Sequence, residues 1–419
     1  MIEIRPLQTC NGVVVIPGSK SYTHRALIVS SLADGESILI NALRSEDTDY
    51  TANALREFGI PIFWNEDQLH ISGMGGIFKL PGERIFLGNS GTSMRFLTAM
   101  ASLINGRIVL AGSDRMRKRP MVELFNGLQA LGGNAYSREE DGSLSVVVES
   151  DGLRGGVVKM RGKESSQFLS GLLMVAPYAK QDVYVEITDS LVSNSYVDIT
   201  LDVMDSYGIE VKREGHHCFS VPAGQRYSPR VYSIEADASS ASYFFSAAAI
   251  TKGRVRVENF NPYSIQADAG FLNLLEKMGC WVILGDSWAG VHGSGLHAIA
   301  IDMGDMPDLV PTLAVTAAFA RGQTLIQNIG HLRLKESDRI AVLTTELRRM
   351  GIRVEEGEDW LKIEGGKGHG AEIDPHDDHR IAMSFAIAGL VIPGIKIKEP
   401  QCVKKSFPDF WEVFRRLYL

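Results

Sequence analysis

Hydrophobic and polar positions along this chain fall into blocks, and one block recurs six times. Each copy opens with a short cluster of small and polar residues ahead of an apolar, Ala- and Leu-rich stretch of helical length. The clusters are Gly18-Ser19-Lys20-Ser21, Asn89-Ser90-Gly91-Thr92, Glu164-Ser165-Ser166-Gln167, Asp237-Ala238-Ser239-Ser240, Asp305-Met306-Pro307-Asp308 and Asp377-Asp378-His379-Arg380. Recurrence about every 70 residues marks an internal repeat. Ser, Thr, Asn and Asp ahead of an apolar run are helix N-cap chemistry. Helix N-termini expose N–H groups and carry partial positive charge, so several of them facing one space would favour anions.

The rest of the block is equally regular. Each apolar helix is followed by a turn and a β-branched run, at 37–40, 108–110, 183–187, 255–257, 324–326 and 395–397. More amphipathic helices are predicted next, over 49–58, 122–131, 196–207, 267–278, 336–350 and 408–417. The first five stop at Gly59, Gly132, Gly208, Gly279 and Gly351, the residue type preferred past a helix C-terminus. Strand-like segments such as 145–148 and 360–364 close those five copies. The sixth runs into the C-terminus, and spare strand-like segments stand at 2–4 and 12–16. The N-terminal segment is therefore expected to complete the last unit. The chain would then cross between two halves near Pro17-Gly18 and within 224–233. This gives a first domain over 18–232 and a second over 1–17 with 233–419, three α/β units in each. The paired crossings suggest a hinge with ligand held between the halves.

Composition narrows the class. Apolar residues make up 45% of the chain and charged residues 22%, as in a globular protein with ample core. A formal charge of −7 argues against a nucleic-acid binder. Cys10, Cys218, Cys280 and Cys402 are scattered without CxxC spacing, so neither a disulfide framework nor a zinc finger is indicated. The start has no leader pattern and no run reaches membrane-spanning length, so a cytoplasmic enzyme is expected. Gly18-Ser19-Lys20-Ser21 lacks the first glycine and spacing of a P-loop, and Ser165-Ser166 lacks a GxSxG elbow. The run 374–379 has metal-ligand residue types, though Arg380 adjoins it and no third ligand cluster is identifiable.

Six motifs in order are specific enough to name a family. They are Pro17-Gly18-Ser19-Lys20-Ser21-Tyr22-Thr23-His24-Arg25, Leu87-Gly88-Asn89-Ser90-Gly91-Thr92-Ser93-Met94-Arg95, Arg117-Lys118-Arg119-Pro120, Lys335-Glu336-Ser337-Asp338-Arg339, Asp378-His379-Arg380 and Lys405-Ser406-Phe407-Pro408-Asp409. Through essentially its whole length the chain resembles the 3-phosphoshikimate 1-carboxyvinyltransferase (EPSP synthase) family. The resemblance implies the enolpyruvyl transferase fold, an inside-out α/β barrel. Its two similar domains of three repeated units enclose a cleft. It also implies transfer of the enolpyruvyl group of phosphoenolpyruvate to the 5-hydroxyl of shikimate 3-phosphate in the shikimate pathway, with release of phosphate. No metal or organic cofactor is implied, and the protein is expected to be a monomer acting on small molecules, without nucleic acid or membrane.

The resemblance further implies roles. Arg339 and Arg380 would hold the phosphoenolpyruvate carboxylate, where a planar guanidinium fork suits the anion. Lys20, Asn89, Gly91, Arg119, Gln167 and Lys405 would surround its phosphate. Ser21 and Arg25 would hold the ring carboxylate of shikimate 3-phosphate. Ser165, Ser166, Gln167 and Ser193 would take its phosphate, with Tyr196 on the ring and Lys335 and His331 near its hydroxyls. Asp308 would act as base on the 5-hydroxyl and Glu336 as acid to the methylene carbon, assisted by Lys20. Their environments must then differ, since one carboxyl has to be ionised while the other delivers a proton. Simpler readings stand beside these. Arg119 would be one of a solvated basic loop, Ser165-Ser166 a plain cap, and Glu336 a first-turn helix residue. Arg380 would pair with Asp377 or Asp378, and His331, where many relatives carry Asn, would be a neutral surface histidine. Glyphosate, which the family binds in the phosphoenolpyruvate pocket, is expected to compete because Gly91 adds no methyl group there. The sister family of UDP-N-acetylglucosamine enolpyruvyl transferases carries Lys-Asn where Lys20-Ser21 stands and a cysteine shortly before Arg-Pro; this chain has none near Arg119.

Overall fold

The computed structural model describes residues 1–140 and 143–418, so Asp141, Gly142 and Leu419 lie outside it. The chain forms two compact units, one of Gly18–Ile234 and one of Met1–Pro17 with Glu235–Leu419. The second crossing falls between Ile234 and Glu235, two residues beyond the expected boundary. Val231–Ser233 pairs in parallel with Asp34–Ile40, which ties that segment to the first unit.

Five four-stranded sheets and one three-stranded sheet are formed among the described residues. In each, a leading strand runs parallel to the strand after the opening helix, and an antiparallel strand follows on the far side. In the second repeat, for example, Ile85–Phe86 leads, Gly106–Ala111 is central, and Ser143–Ser150 and Asn134–Glu140 follow. The two crossings exchange leading strands. Asn11–Val14 precedes the first repeat but pairs in parallel with Arg254–Val257 of the fourth, while Val231–Ser233 precedes the fourth but pairs with the first. Of the N-terminal strands, Ile2–Glu3 pairs antiparallel with Lys396–Ile397 of the sixth repeat.

The opening helices owe their burial to composition. Ala238–Thr251 is buried at all 14 positions and Lys20–Leu32 from Tyr22 onward. Lys20–Leu32 buries His24 and Arg25 against hydroxyl partners, whereas Ala238–Thr251, small or apolar on every face, has no side to give to water. Its hydroxyls are satisfied internally: Ser242 bonds Thr312 at 3.1 Å, Thr312 bonds Ser384 at 3.4 Å, and Ser246 bonds Thr316 at 2.8 Å. Ser242, Thr312 and Ser384 come from the opening helices of three successive repeats, so these helices lie side by side with their N-termini at one end of the unit. In the other unit, Lys20–Leu32, Gly91–Ala101 and Ser166–Val175 pack together likewise. Amphipathic helices such as Glu46–Glu57 and Arg339–Arg349 turn one apolar face inward. Five of them end, as expected, ahead of glycines with φ between +82° and +105°.

Candidate active site

In the Gly18–Ile234 unit the three packed opening helices present their first turns together. Lys20 starts one of them, and its Nζ meets Asp47 Oδ2 at 3.3 Å. Gly91 starts the second behind its N-cap Ser90. Arg119 is only 6% exposed, although Arg117 and Lys118 beside it are exposed, so it is not part of a solvated basic loop. Its Nη1 donates to Asn89 O at 3.2 Å, and a Cβ added at Gly91 would lie 2.4 Å from its Cζ. Gln167, in the first turn of the third helix, donates to Thr92 Oγ1 at 2.9 Å and accepts from Arg95 Nη1 at 2.6 Å. Arg95 also donates to Pro120 O at 3.2 Å, so one buried guanidinium ties the Arg119-Pro120 loop to two helix starts.

A second group lies along the neighbouring helix Asn194–Ser206. Ser165 caps its own helix by accepting from Gln167 N at 3.3 Å, and Ser166 is buried behind it. Ser193 is 3% exposed with φ of 57°, a left-handed conformation uncommon for serine, and its buried Oγ has no hydrogen-bond partner among the described residues. Arg25 faces inward more than the resemblance leads one to expect. It is 1% exposed and donates to Thr200 Oγ1 (2.6 Å), Ser21 O (2.9 Å), Ser170 Oγ (3.4 Å) and Tyr196 O (2.8 Å). Four of a guanidinium's five donors are thus engaged by the protein. Arg25 locks the backbone at Ser21 and Tyr196, and burial lowers its pKa to about 10.

The other unit gathers a denser set of charges. Asp308, in the short turn Pro307–Leu309, accepts from Arg339 Nη1 at 2.8 Å and from Arg380 Nη2 at 2.7 Å. Arg339 is 1% exposed and also donates to Glu336 Oε2 at 2.9 Å and Asp378 Oδ2 at 2.8 Å. Burial opposes its charge, but Asp378, Glu336 and Asp308 outweigh burial and raise its pKa. Asp378 is fully buried; it accepts from Ser337 Oγ and caps His379–Gly389 through Arg380 N. The Arg380 guanidinium thus meets Asp308 rather than serving only as a neighbour's partner. Glu336 precedes the helix, which begins at Arg339 behind the cap Asp338, and so is not the first-turn residue expected. Lys335 ends the preceding 3-10 turn, and Lys405, 7% exposed, ends Pro400–Lys405.

His331 departs from its surface reading. It is 8% exposed, its Nε2 has no partner among the described residues, and its pKa is lowered to about 3 by burial, then by Lys335. It is a neutral imidazole in the same cluster. Residues 374–379 contribute a cap and an arginine partner, and no group of three or more His, Cys, Asp or Glu residues suited to a metal occurs among the described residues. No helix among them is long and apolar enough to cross a membrane.

Sequence reasoning missed Asp47 and Arg95 as members of these clusters, and named Asp378 only as an alternative partner for Arg380, not for Arg339. Arg95 and Asp378 stood inside quoted motifs, and Asp47 sits in the acidic first turn of Glu46–Glu57, where only capping was legible.

The family model for EPSP synthase (3-phosphoshikimate 1-carboxyvinyltransferase) matches residues 4–414. The chain belongs to the EPSP synthase family. A Nostoc punctiforme protein named 3-phosphoshikimate 1-carboxyvinyltransferase is 46% identical over 417 residues, covering 99% of this chain and 98% of that one. One of the same name from Methanoculleus marisnigri is 46% identical over 398 residues, with 94% of each covered. The EPSP synthase structure from Acinetobacter baumannii superposes with a TM-score of 0.81 at 31% identity, over 99% of this chain and 97% of that one. The enolpyruvyl transferase NikO from Streptomyces tendae has a TM-score of 0.79 at 17% identity, over 99% of this chain and 97% of that one, which shares the fold. The chain thus has the two-domain enolpyruvyl transferase fold.

Proposed function

We infer that this member of the EPSP synthase family transfers the enolpyruvyl group of phosphoenolpyruvate to the 5-hydroxyl of shikimate 3-phosphate, with release of phosphate. Family membership over the whole chain supports the reaction. The geometric observation that carries the reading is the Asp308 carboxylate, which bridges Arg339 and Arg380. Two guanidinium groups that hold one carboxylate in this way form a seat for a carboxylate in general.

The carboxylate of phosphoenolpyruvate would exchange with Asp308 on this pair. Exchange frees Asp308 to take the 5-hydroxyl proton, which couples arrival of one substrate to activation of the other. Glu336 accepts from Arg339 through Oε2, and in this reading its Oε1 carries the proton delivered to the methylene carbon. The tetrahedral intermediate then gives a proton of its new methyl group back to Glu336 as phosphate leaves, which restores the vinyl double bond, and the proton held by Asp308 goes out with phosphate. Lys20, Asn89, Gly91, Arg119, Gln167 and Lys405 serve the phosphoenolpyruvate phosphate. Ser165, Ser166, Gln167 and Ser193 serve the other phosphate, while Ser21, the remaining donor of Arg25, Tyr196, Lys335 and the neutral His331 serve the ring. The Ser193 hydroxyl, without a partner among the described residues, supports this assignment, since a buried donor left unbonded is costly unless a ligand takes it up. The protein works in this reading as a cytoplasmic monomer on small molecules.

The test is phosphate release by the purified protein. Release with shikimate 3-phosphate and phosphoenolpyruvate is expected. Release only with UDP-N-acetylglucosamine, or binding without release, would overturn the reading.

A further inference from the structure

Asp268 belongs to none of the motifs and has no part in the reaction above. It lies in the turn Ala267–Gly270, 6% exposed. Its Oδ2 accepts from Ser239 Oγ, and its Oδ1 is buried with no hydrogen-bond partner among the described residues. Ser239 stands one helical turn before Tyr243 on Ala238–Thr251, so the two share a face. The Tyr243 hydroxyl accepts from Arg380 Nη1 at 3.5 Å. The same helix packs against His379–Gly389, which carries Arg380, and against Pro307–Leu309, which carries Asp308. One helix face therefore fixes Asp268 at one turn and Arg380 at the next.

We propose that Asp268 is a positioning residue for the Arg380–Asp308 pair. Neutral, it leaves the charge of Arg380 to Asp308 and to a substrate carboxylate; ionised, it offsets part of that charge from the turn beside the shared helix. The proposal rests on the reading above that Arg380 receives the carboxylate of phosphoenolpyruvate. The charged groups around Asp268 are Asp308 from the Pro307–Leu309 turn, Arg380 from the helix after Asp378, and Asp237 at the cap of Ala238–Thr251. Burial is the largest influence and, with Asp308, pushes the Asp268 pKa up to about 7; the Ser239 hydrogen bond and Arg380 act the other way. Ionisation of Asp268 thus falls in the physiological range, and each step toward it lowers the positive potential that Arg380 offers.

The consequence is a pH dependence confined to one substrate. The KM for phosphoenolpyruvate is measured from about pH 6 to about pH 9, spanning the titration, for the unaltered protein and for Asp268→Asn, which mimics the neutral acid. The ratio of the two KM values should be near one at the acid end and rise to roughly fivefold at the alkaline end, with the unaltered protein the weaker binder. Substrate phosphate ionisation is common to both proteins and cancels in the ratio. The KM for shikimate 3-phosphate and kcat should keep a constant ratio. Ser239→Ala removes a hydrogen bond that favours the ionised form, so it should move the same transition to higher pH. A flat ratio for phosphoenolpyruvate, equal changes for both substrates, or a Ser239→Ala transition that stays put or moves to lower pH would each overturn the proposal. Should Asp268→Asn fail to fold, the direction of the Ser239→Ala shift alone decides it. Absence of phosphate release from the unaltered protein would instead strike the functional reading, so the two failures are distinguishable.

Discussion

The two units are built on one repeat and treat their helix starts in different ways. In the Gly18–Ile234 unit the residues at those starts are mainly hydroxyls, an amide and glycine, namely Ser90, Gly91, Ser165, Ser166, Gln167 and Ser193, with Lys20 and its partner Asp47 as the charged exception. In the other unit the corresponding places carry Asp308 and Asp378, and these carboxylates are bonded to Arg339 and Arg380. The first arrangement keeps backbone N–H groups and neutral donors available to an anion. The second holds positive and negative groups in contact, so that an incoming anion must displace an internal one. Neutral donors suit recognition, because they change little when the ligand arrives. Compensated charges suit chemistry, because displacing one partner changes the proton affinity of the other.

Replacing Asp308 should break the contrast most severely. Asp308→Asn keeps the shape but leaves two guanidinium groups without the shared carboxylate and removes the base. Phosphate release should fall roughly 10²- to 10⁴-fold, while shikimate 3-phosphate binding, measured by calorimetry, should change by less than about threefold. Comparable loss of both would mean that Asp308 acts by organising the protein and not in the reaction.

Stability should divide along the same line. Asp378 is fully buried and answers Arg339, Ser337 and the start of its helix together. Asp378→Ala leaves Arg339 under-compensated in the interior and should cost about 3–5 kcal/mol in urea unfolding. Ser165→Ala, the equivalent cap in the hydroxyl-rich unit, removes one neutral bond and should cost about 1 kcal/mol. Similar costs for the two would remove the distinction between charged and neutral helix starts.

A smaller effect separates the two substrates. Gly91→Ala would place its Cβ 2.4 Å from Arg119 Cζ, so the guanidinium must move. It should raise the KM for phosphoenolpyruvate roughly tenfold and leave shikimate 3-phosphate affinity nearly unchanged; Arg119→Ala should do the same more strongly. Equal losses for both substrates would withdraw Arg119 from the phosphoenolpyruvate side.

How much of this was legible in the sequence follows from the range of the forces involved. The repeat, the opening helices and the glycine stops are local, because a cap and a C-terminal glycine act within a turn of their own helix. The exchange of leading strands between the first and fourth repeats was only partly legible. Asn11–Val14 pairs with a strand more than 240 residues away, and nothing in its own composition distinguishes that partner from the strand of the sixth repeat. Burial was the hardest property to read. Arginine is a side-chain type usually found in water and histidine an intermediate one, yet Arg25, Arg119 and His331 are all buried. Asp268 carried no motif at all, and only the packing of Ala238–Thr251 against three neighbouring elements links it to Arg380, through Ser239 and Tyr243.

The smallest effect offers the sharpest test of the hydroxyl-rich unit. Ser193 holds a left-handed backbone conformation and a buried hydroxyl without a partner among the described residues, and its helix gains no side-chain cap from it. In the unliganded protein that hydroxyl is a cost of about 1–3 kcal/mol, whereas a bond to a phosphate dianion would be worth a similar amount. Ser193→Ala should therefore leave unfolding free energy unchanged or raise it by up to about 1 kcal/mol. It should also weaken shikimate 3-phosphate binding roughly tenfold. A structural residue moves in the opposite sense, losing stability with little change in affinity. Because the two readings differ in sign, a single pair of measurements, unfolding and calorimetry on the same variant, separates a donor kept for a ligand from one that serves the fold.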